Sequence, residues 1–433
     1  MKKTMELLAP VGGFEQLEYA IKFGADAVYL AGKQFGMRAN ANNFDSQELE
    51  RAIAIAHDAG VKIYITCNTL VSQNELDEVR KFLEFLNRAK PDAVIVGDIG
   101  VMSIARETLQ DVAIHVSTQA SVANAEAART YHELGAKRII CAREMSLENI
   151  AQMRKDIPAD LELEVFVHGA MCMSYSGRCM ISDYLCQRPA QKGACTQPCR
   201  WQWNVEGGEF DASQDSAKSQ DENLHNTELR LQLSEPTRPG ETFEVAQDEK
   251  STYIFNSYDM CMLEHLDELR QAGVNSIKIE GRNKNAYYVA TIVNAYRQVL
   301  DGAPASDYIA ELDKVSHRPY STGFFFSKPN QSTTQGGYQQ IWKWCGVIDD
   351  CKNIDDPATP YQYQITCRNN FNCEDTLETL NIDSSIKALK IANIQEITED
   401  GPIQVDAANK VMRKYLIECD TELFKGALIR KRV

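Results

Sequence analysis

Four times in this chain a glycine closes an amphipathic stretch and a β-branched run begins at once: FGADAVYL, AGVKIYI, LGAKRII and AGVNSIKI. A helix ended by glycine in left-handed geometry and followed directly by a strand is one βα unit. Its repetition calls for a parallel sheet, because each helix must carry the chain back before the next strand starts. Eight strands can be counted: ELLAP (6–10), AVYLAG (27–32), KIYITCN (62–68), AVIVGD (93–98), AIHVST (113–118), RIICA (138–142), LEVFVHG (163–169) and SIKIEG (276–281). Helical periodicity lies between them in GFEQLEYAIKFG, SQELERAIAIAHDAG, NELDEVRKFLEFLNRA and SLENIAQMRKD. Eight such strands close a ring, so the expected fold is α/β, a (β/α)8 TIM-like barrel. No glycine-rich phosphate loop follows ELLAP, which argues against an open nucleotide-binding sheet.

Two departures interrupt the repeat. The seventh strand runs into a cysteine loop (169–201) and then a polar, acidic insertion (206–250), with hairpin character around TELRLQL. The pattern resumes at STYIFNSYDMCMLEHLDELRQAG as a short strand and the seventh helix. Past residue 302 the alternation stops, and short β-like runs such as KWCGVIDD, YQYQITCRN and ALIRKRV take over. The expected organisation is a barrel domain over 1–302, a connecting segment over 303–334 and a small C-terminal β-rich domain over 335–433.

No apolar run approaches the roughly 18 residues of a membrane span, and the apolar part of MKKTMELLAP is too short for a signal peptide, so a cytoplasmic protein with no membrane association is expected. A net charge of -15 argues against a general nucleic-acid binder and leaves only local basic patches, such as KIEGRNK (278–284) and the KGALIRKRV tail. Thirteen cysteines in a reducing compartment point to metal or redox use rather than disulfides. Cys67, Cys141 and Cys367 lie in strand-like runs and read as small core residues.

In a parallel barrel, functional groups collect at the carboxyl ends of the strands. Those ends supply Asn68, Asp98, Ser117, Thr118, Gln119, Arg143, Glu144, His168, Glu280 and Arg282, together with the cysteine loop. Six residues separate Cys172 from Cys179, and three separate Cys195 from Cys199. Paired CxxC knuckles of a structural zinc site are absent, and unequal spacing of single cysteines suits an iron–sulfur cluster held by several loops, with zinc or no metal as the alternatives. Cys172, Cys179 and Cys195 supply three ligands, and the fourth is Cys199, Cys186 or Cys261. His168 and Glu280 are the candidate acid–base groups. Arg38, Asn68, Gln119 and Arg282 are candidates for binding a small dicarboxylate, which a guanidinium fork suits.

EVFVHGAMCMSYSGRCMIS, GACTQPCRW, NSYDMCM and IKIEGRNKNAYYVATIVNAYR, with the opening LLAPVGGFEQLEYAIKFGADAVYLAGKQFGMRANANNF and the later HRPYSTGFFF, resemble the collagenase-like peptidase family of unassigned catalytic type. The likeness covers most of the chain outside 206–250, where the acidic tract departs from the family pattern. The resemblance implies a [4Fe-4S] cluster on Cys172, Cys179, Cys195 and Cys261. It also implies hydroxylation chemistry: bacterial members of this length include tRNA hydroxylation proteins that make 5-hydroxyuridine at the wobble position with prephenate as oxygen donor. The expected partners are then tRNA and that small dicarboxylate co-substrate.

The family's older name implies proteolysis, but the chain has no HExxH, no GxSxG elbow and no evident Cys and His pair outside the loop. Ser174, Ser176 and His168 are close in sequence without an evident orienting acid. A peptidase is the second reading. The third is a cluster-bearing scaffold or electron-transfer subunit acting with a protein partner or as a homo-oligomer.

Overall fold

A computed structural model describes residues 5–38, 41–172, 174–200, 204–205, 229–234, 242–247, 258–327, 338–352 and 361–433. Strands β1 (Glu6–Pro10), β2 (Ala27–Ala31), β3 (Lys62–Cys67), β4 (Ala93–Val96), β5 (Ala113–Val116), β6 (Ala136–Ile140) and β7 (Glu162–Ala170) pair in parallel in chain order. A short strand, β8 (Asp259–Cys261), precedes β9 (Ser276–Ile279), which pairs in parallel with both β7 and β1 and closes the ring. The expected eight-stranded barrel is therefore present.

Around it lie α1 (Phe14–Lys22), α2 (Ser46–Asp58), α3 (Leu76–Ala89), α4 (Ile99–Thr108), α5 (Ala125–Glu133) and α6 (Leu147–Asp156). After the short α7 (Ile181–Cys186) of the cysteine loop come α8 (Leu266–Gln271), α9 (Ala286–Leu300) and α10 (Ser306–Leu312). Local chemistry starts these helices. Asp45 and Glu48 form a reciprocal capping box on α2, and Asn285 accepts from the Tyr288 amide at the head of α9. Asp98 does the same for α4, so this strand-end residue is a cap. Among the described residues no helix is long and apolar enough to cross a membrane.

Alternate strand residues face opposite ways, and here the two faces differ in kind. Outward residues such as Leu7, Val28, Ile63 and Ile277 are fully buried against the helices. The lower barrel interior is instead an ionic layer. Arg138 on β6 binds Glu6 (2.5 Å), Glu162 (2.6 Å) and Glu164 (2.9 Å), and Lys278 on β9 binds the other oxygen of Glu164 at 3.1 Å. Tyr64 donates to Glu6 at 2.9 Å, and its ring meets His115 edge-on at 4.8 Å. Burial drives His115 well below the ordinary histidine pKa, which keeps it neutral in this layer.

Of the insertion, residues 229–234 and 242–247 form an antiparallel pair at the expected hairpin, with 204–205 alongside; the rest of 206–250 lies outside the described residues. The C-terminal region is antiparallel and β-rich, an eight-stranded sheet running from Trp342 to Arg432 with its own core of residues such as Ile348, Tyr363, Ile365 and Ile417. It is fastened to the barrel by fully buried Arg430, which binds Glu311 and Glu378 at 2.6 Å each, while Lys314 binds the same two carboxylates at 2.6 Å. Tyr19 also donates to the Gly426 carbonyl at 3.1 Å.

Removing one partner from a buried ionic network leaves uncompensated charge behind. Arg138→Ala, which leaves Glu6 and Glu164 with Lys62 and Lys278 as their remaining cationic partners, is expected to lower stability by about 3 kcal/mol in urea unfolding. A loss below about 1 kcal/mol would contradict this reading of the interior.

Candidate active site at the barrel mouth

Beyond β7 the cysteine loop folds back over the open end of the ring, and two glycines let it settle there. Gly177 has φ +80°, and a Cβ on it would stand 2.5 Å from the Gln119 carbonyl oxygen; Gly193 has φ +78°, and its Cβ would stand 2.7 Å from the Gly36 oxygen. Both positions demand left-handed backbone and close approach, which only glycine combines without strain. Hydrogen bonds then tie the loop to the strand ends: Ser121 Oγ to the Ser176 carbonyl (2.6 Å), the Ser176 amide to Glu144 (3.1 Å) and the Leu70 amide to the Gln191 carbonyl (3.2 Å). Lys192 pairs with Glu75 as well.

Between loop and barrel lies a cavity of about 350 Å³. Cys172, Cys179, Cys195 and Cys199 line it on the loop side, and Arg38, Gln119, Arg143, Glu280 and Lys284 on the barrel side. Cys195 Sγ accepts from the Gln197 amide at 3.3 Å, and the Cys179 carbonyl accepts from Gln191 at 2.6 Å. Three of the four cysteines expected as ligands therefore share one cavity, and the fourth sulfur there belongs to Cys199.

Cys261 does not line this cavity. Opposite Lys278 and Ile279 of β9, strand β7 offers Phe166 and then His168, so Val167 is an extra residue in the ladder. Such a bulge reverses which face later residues occupy. Phe166 faces inward beside Arg143, whose guanidinium lies 4.0 Å from its ring, whereas His168 turns out of the barrel toward α9. Cys261 is paired directly with His168 and shares its face, with Sγ 4.0 Å from the Tyr296 hydroxyl. Burial pushes this thiol up to about 11.

His168 likewise stands apart from the mouth. It is enclosed by Tyr288, Tyr296 and Tyr320 at ring distances of 5.3–6.1 Å, and burial, with His317 and Lys284 adding to it, brings it down to about 3. It is a neutral imidazole in an aromatic cage. Cys67, Cys141 and Cys367 are core residues as read from the sequence, and burial raises Cys67 and Cys141 to about 12 and Cys367 to about 11.

Below the main cavity a second one of about 40 Å³ continues into the barrel, lined by Arg38, Asn68, Gln119, Arg143, Glu280 and Arg282 among others. All four predicted dicarboxylate-binding residues meet here, together with Glu280. Arg38 grips Glu280 at 2.8 Å, and Arg143 Nη2 lies 3.7 Å from its second oxygen. Burial would raise the Glu280 carboxyl, but Arg38, Arg143 and Arg282 outweigh it and hold the group at about 2. Glu280 is thus ionised at neutral pH and acts as a fixed anchor for guanidinium groups.

Arg282 is 3% exposed, donates to Asn43 and is drawn down to about 10 by burial, with Arg38 adding to it. Lys278 is balanced by Glu164, so three guanidiniums face one carboxylate. The Nε atoms of Arg143 and Arg282 and the hydroxyl of Thr66 are buried without a hydrogen-bond partner among the described residues. A floor with surplus positive charge and unused donors is built to take an anion. Arg143 is the member that sequence reasoning left among generic strand ends; its place beside an aromatic strand residue is visible only once the register is known.

Among the described residues no three His, Cys, Asp or Glu side chains converge closely enough to hold one metal ion. Thiols that line one cavity are the donor type that zinc or an iron–sulfur cluster takes.

Fold and site together define a parallel barrel whose mouth is roofed by thiols and floored by arginines. Residues 12–335 match Peptidase family U32, and the chain belongs to that family. It is 37% identical over 335 residues to tRNA hydroxylation protein P of Escherichia coli strain K12, covering 74% of each chain. It is 30% identical over 437 aligned positions to tRNA hydroxylation protein P1 of Bacillus subtilis strain 168, covering 99% of this chain and 95% of that one. A protein named collagenase from Porphyromonas gingivalis is 30% identical over 334 residues, 74% of this chain and 72% of its own.

A carboxyl held low in the fold stabilises above its unfolded pKa of about 4.3 and loses that contribution as pH falls toward 2. Glu280→Gln is expected to be less stable than the parent at pH 7, by on the order of 3 kcal/mol, with the gap closing between pH 4.3 and pH 2. Urea unfolding across that range checks this; a gap independent of pH would refute the anchoring role.

Proposed function

We propose that this chain is an RNA-modifying enzyme that hydroxylates the wobble uridine of tRNA to 5-hydroxyuridine, with prephenate as oxygen donor and a [4Fe-4S] cluster at the barrel mouth. The observation that carries the reading is a pair of adjoining cavities at the mouth, the outer lined by Cys172, Cys179 and Cys195 and the inner by Arg38, Arg143 and Arg282. Two relatives bear the name of tRNA hydroxylation proteins, which supports the substrate class. The family resemblance supplies the co-substrate and the cluster.

On this reading Cys172, Cys179 and Cys195 hold the cluster, with the fourth sulfur from Cys261, as the resemblance implies, or from Cys199, which lines the cavity. When bound, such a cluster supplies one-electron redox chemistry at the mouth. The arginine floor, with Asn68 and Gln119, binds and orients the dicarboxylate. Glu280 fixes Arg38 and Arg143 so that little reorganisation is needed on binding. The loop covers the site and limits access of water. Proteolysis is the weaker reading, because among the described residues no histidine lines the cavity and His168 packs instead among Tyr288, Tyr296 and Tyr320.

Transfer RNA from cells lacking this gene is expected to lose 5-hydroxyuridine derivatives on nucleoside mass spectrometry; unchanged tRNA would overturn the proposal. Anaerobically purified protein is expected to contain iron and labile sulfide that Cys172→Ala abolishes, and comparing Cys199→Ala with Cys261→Ala identifies the fourth ligand as the one whose loss removes the cluster. Arg143→Ala is expected to raise the prephenate concentration needed for half-maximal hydroxylation by about 10–100-fold, the loss of one charged hydrogen bond. An unchanged requirement would place the dicarboxylate elsewhere.

A further inference from the structure

Between Tyr175 and Tyr184 the cysteine loop turns outward groups that a soluble surface usually covers. Tyr175 is 61% exposed, Met180 67% and Tyr184 87%, and Arg178 among them is exposed too. The side chains of Tyr175, Arg178 and Tyr184 make no hydrogen bond, ion pair or ring contact with any described residue. Tyr175 also lines the cavity, so its ring stands at the lip. From 171 to 199 the loop carries Arg178, Arg188 and Lys192 against Asp183, and with Lys192 paired to Glu75 it keeps a small positive excess in a chain of net charge -15.

Exposed tyrosines flanking an exposed arginine, at the lip of a cavity floored by guanidiniums, have a specific use. Unpaired bases lie on aromatic rings while cations take the phosphates, and a base undergoing chemistry must leave the stack to enter a pocket. We propose that residues 175–184 are a stacking platform for the unpaired bases of an RNA loop. Tyr175 takes the neighbour of the base that enters the cavity, Tyr184 takes a further base, and Arg178 takes a phosphate between them. This rests on the RNA reading above and adds to it which residues hold the RNA. A duplex does not suit the platform, because its bases are stacked on one another and offer no free face.

The test is fluorescence-anisotropy binding of an unmodified tRNA anticodon stem-loop to the anaerobically purified full chain. Tyr175→Ala and Tyr184→Ala are each expected to weaken binding about tenfold, with Tyr175→Phe close to the parent. Arg178→Ala is expected to lower the slope of log affinity against log salt by about 0.7. All four variants should melt with the parent, since the side chains are exposed. If the parent binds and both Tyr175→Ala and Tyr184→Ala bind within twofold of it, the platform is refuted while the RNA reading stands. A parent that binds no RNA refutes both. Unchanged RNA binding together with self-association that Tyr184→Ala abolishes refutes the platform and assigns the patch to a protein contact.

Discussion

Glu164 has no exposed surface and stands inside the barrel between Arg138 and Lys278, one on each neighbouring strand. A charge there is tolerable only because it is paired on both sides. The strands concerned are β6, β7 and β9, and β7 and β9 are the pair joined across the longest interruption in the chain. The ionic layer therefore bridges the seam at which the ring closes. It also sets the polar character of everything above it, because the inward column that begins with Lys278 on β9 continues into Glu280.

The bulge at Val167 decides how that column is used. Without it, His168 and its ladder partner Cys261 would look into the barrel; with it, they look into an aromatic pocket behind the wall. Among the described residues the mouth is left to guanidiniums, the Lys284 ammonium, amides, the Glu280 carboxylate and the loop thiols. Two chemically distinct neighbourhoods thus lie on either side of one strand, separated by a single extra residue.

The fold was legible because the short apolar run that makes each strand is a local signal, reinforced before β2, β3, β6 and β9 by a glycine that ends the preceding helix. The cysteine loop was legible by composition, and Arg38, Asn68, Gln119 and Arg282 do meet on one floor. Strand register was not legible: one inserted residue leaves no mark in LEVFVHG, yet it moves His168 and Cys261 to the other face. The interior charges were present as Arg138, Glu164 and Lys278 inside apolar runs, where they broke an otherwise hydrophobic reading without revealing their shared layer. Cys199 against Cys261 is a question of distance between loops, which spacing along a chain does not encode.

The junction at Arg430 carries a consequence of its own. Its guanidinium belongs to the β-rich unit, and Glu311 and Lys314 to the α10 end of the barrel. Unfolding either half strands ions that the other half keeps dry. That shared charge couples the unfolding of the two parts, as does the packing of Trp344, Leu380 and Leu428 of the β-rich unit into the barrel's own core.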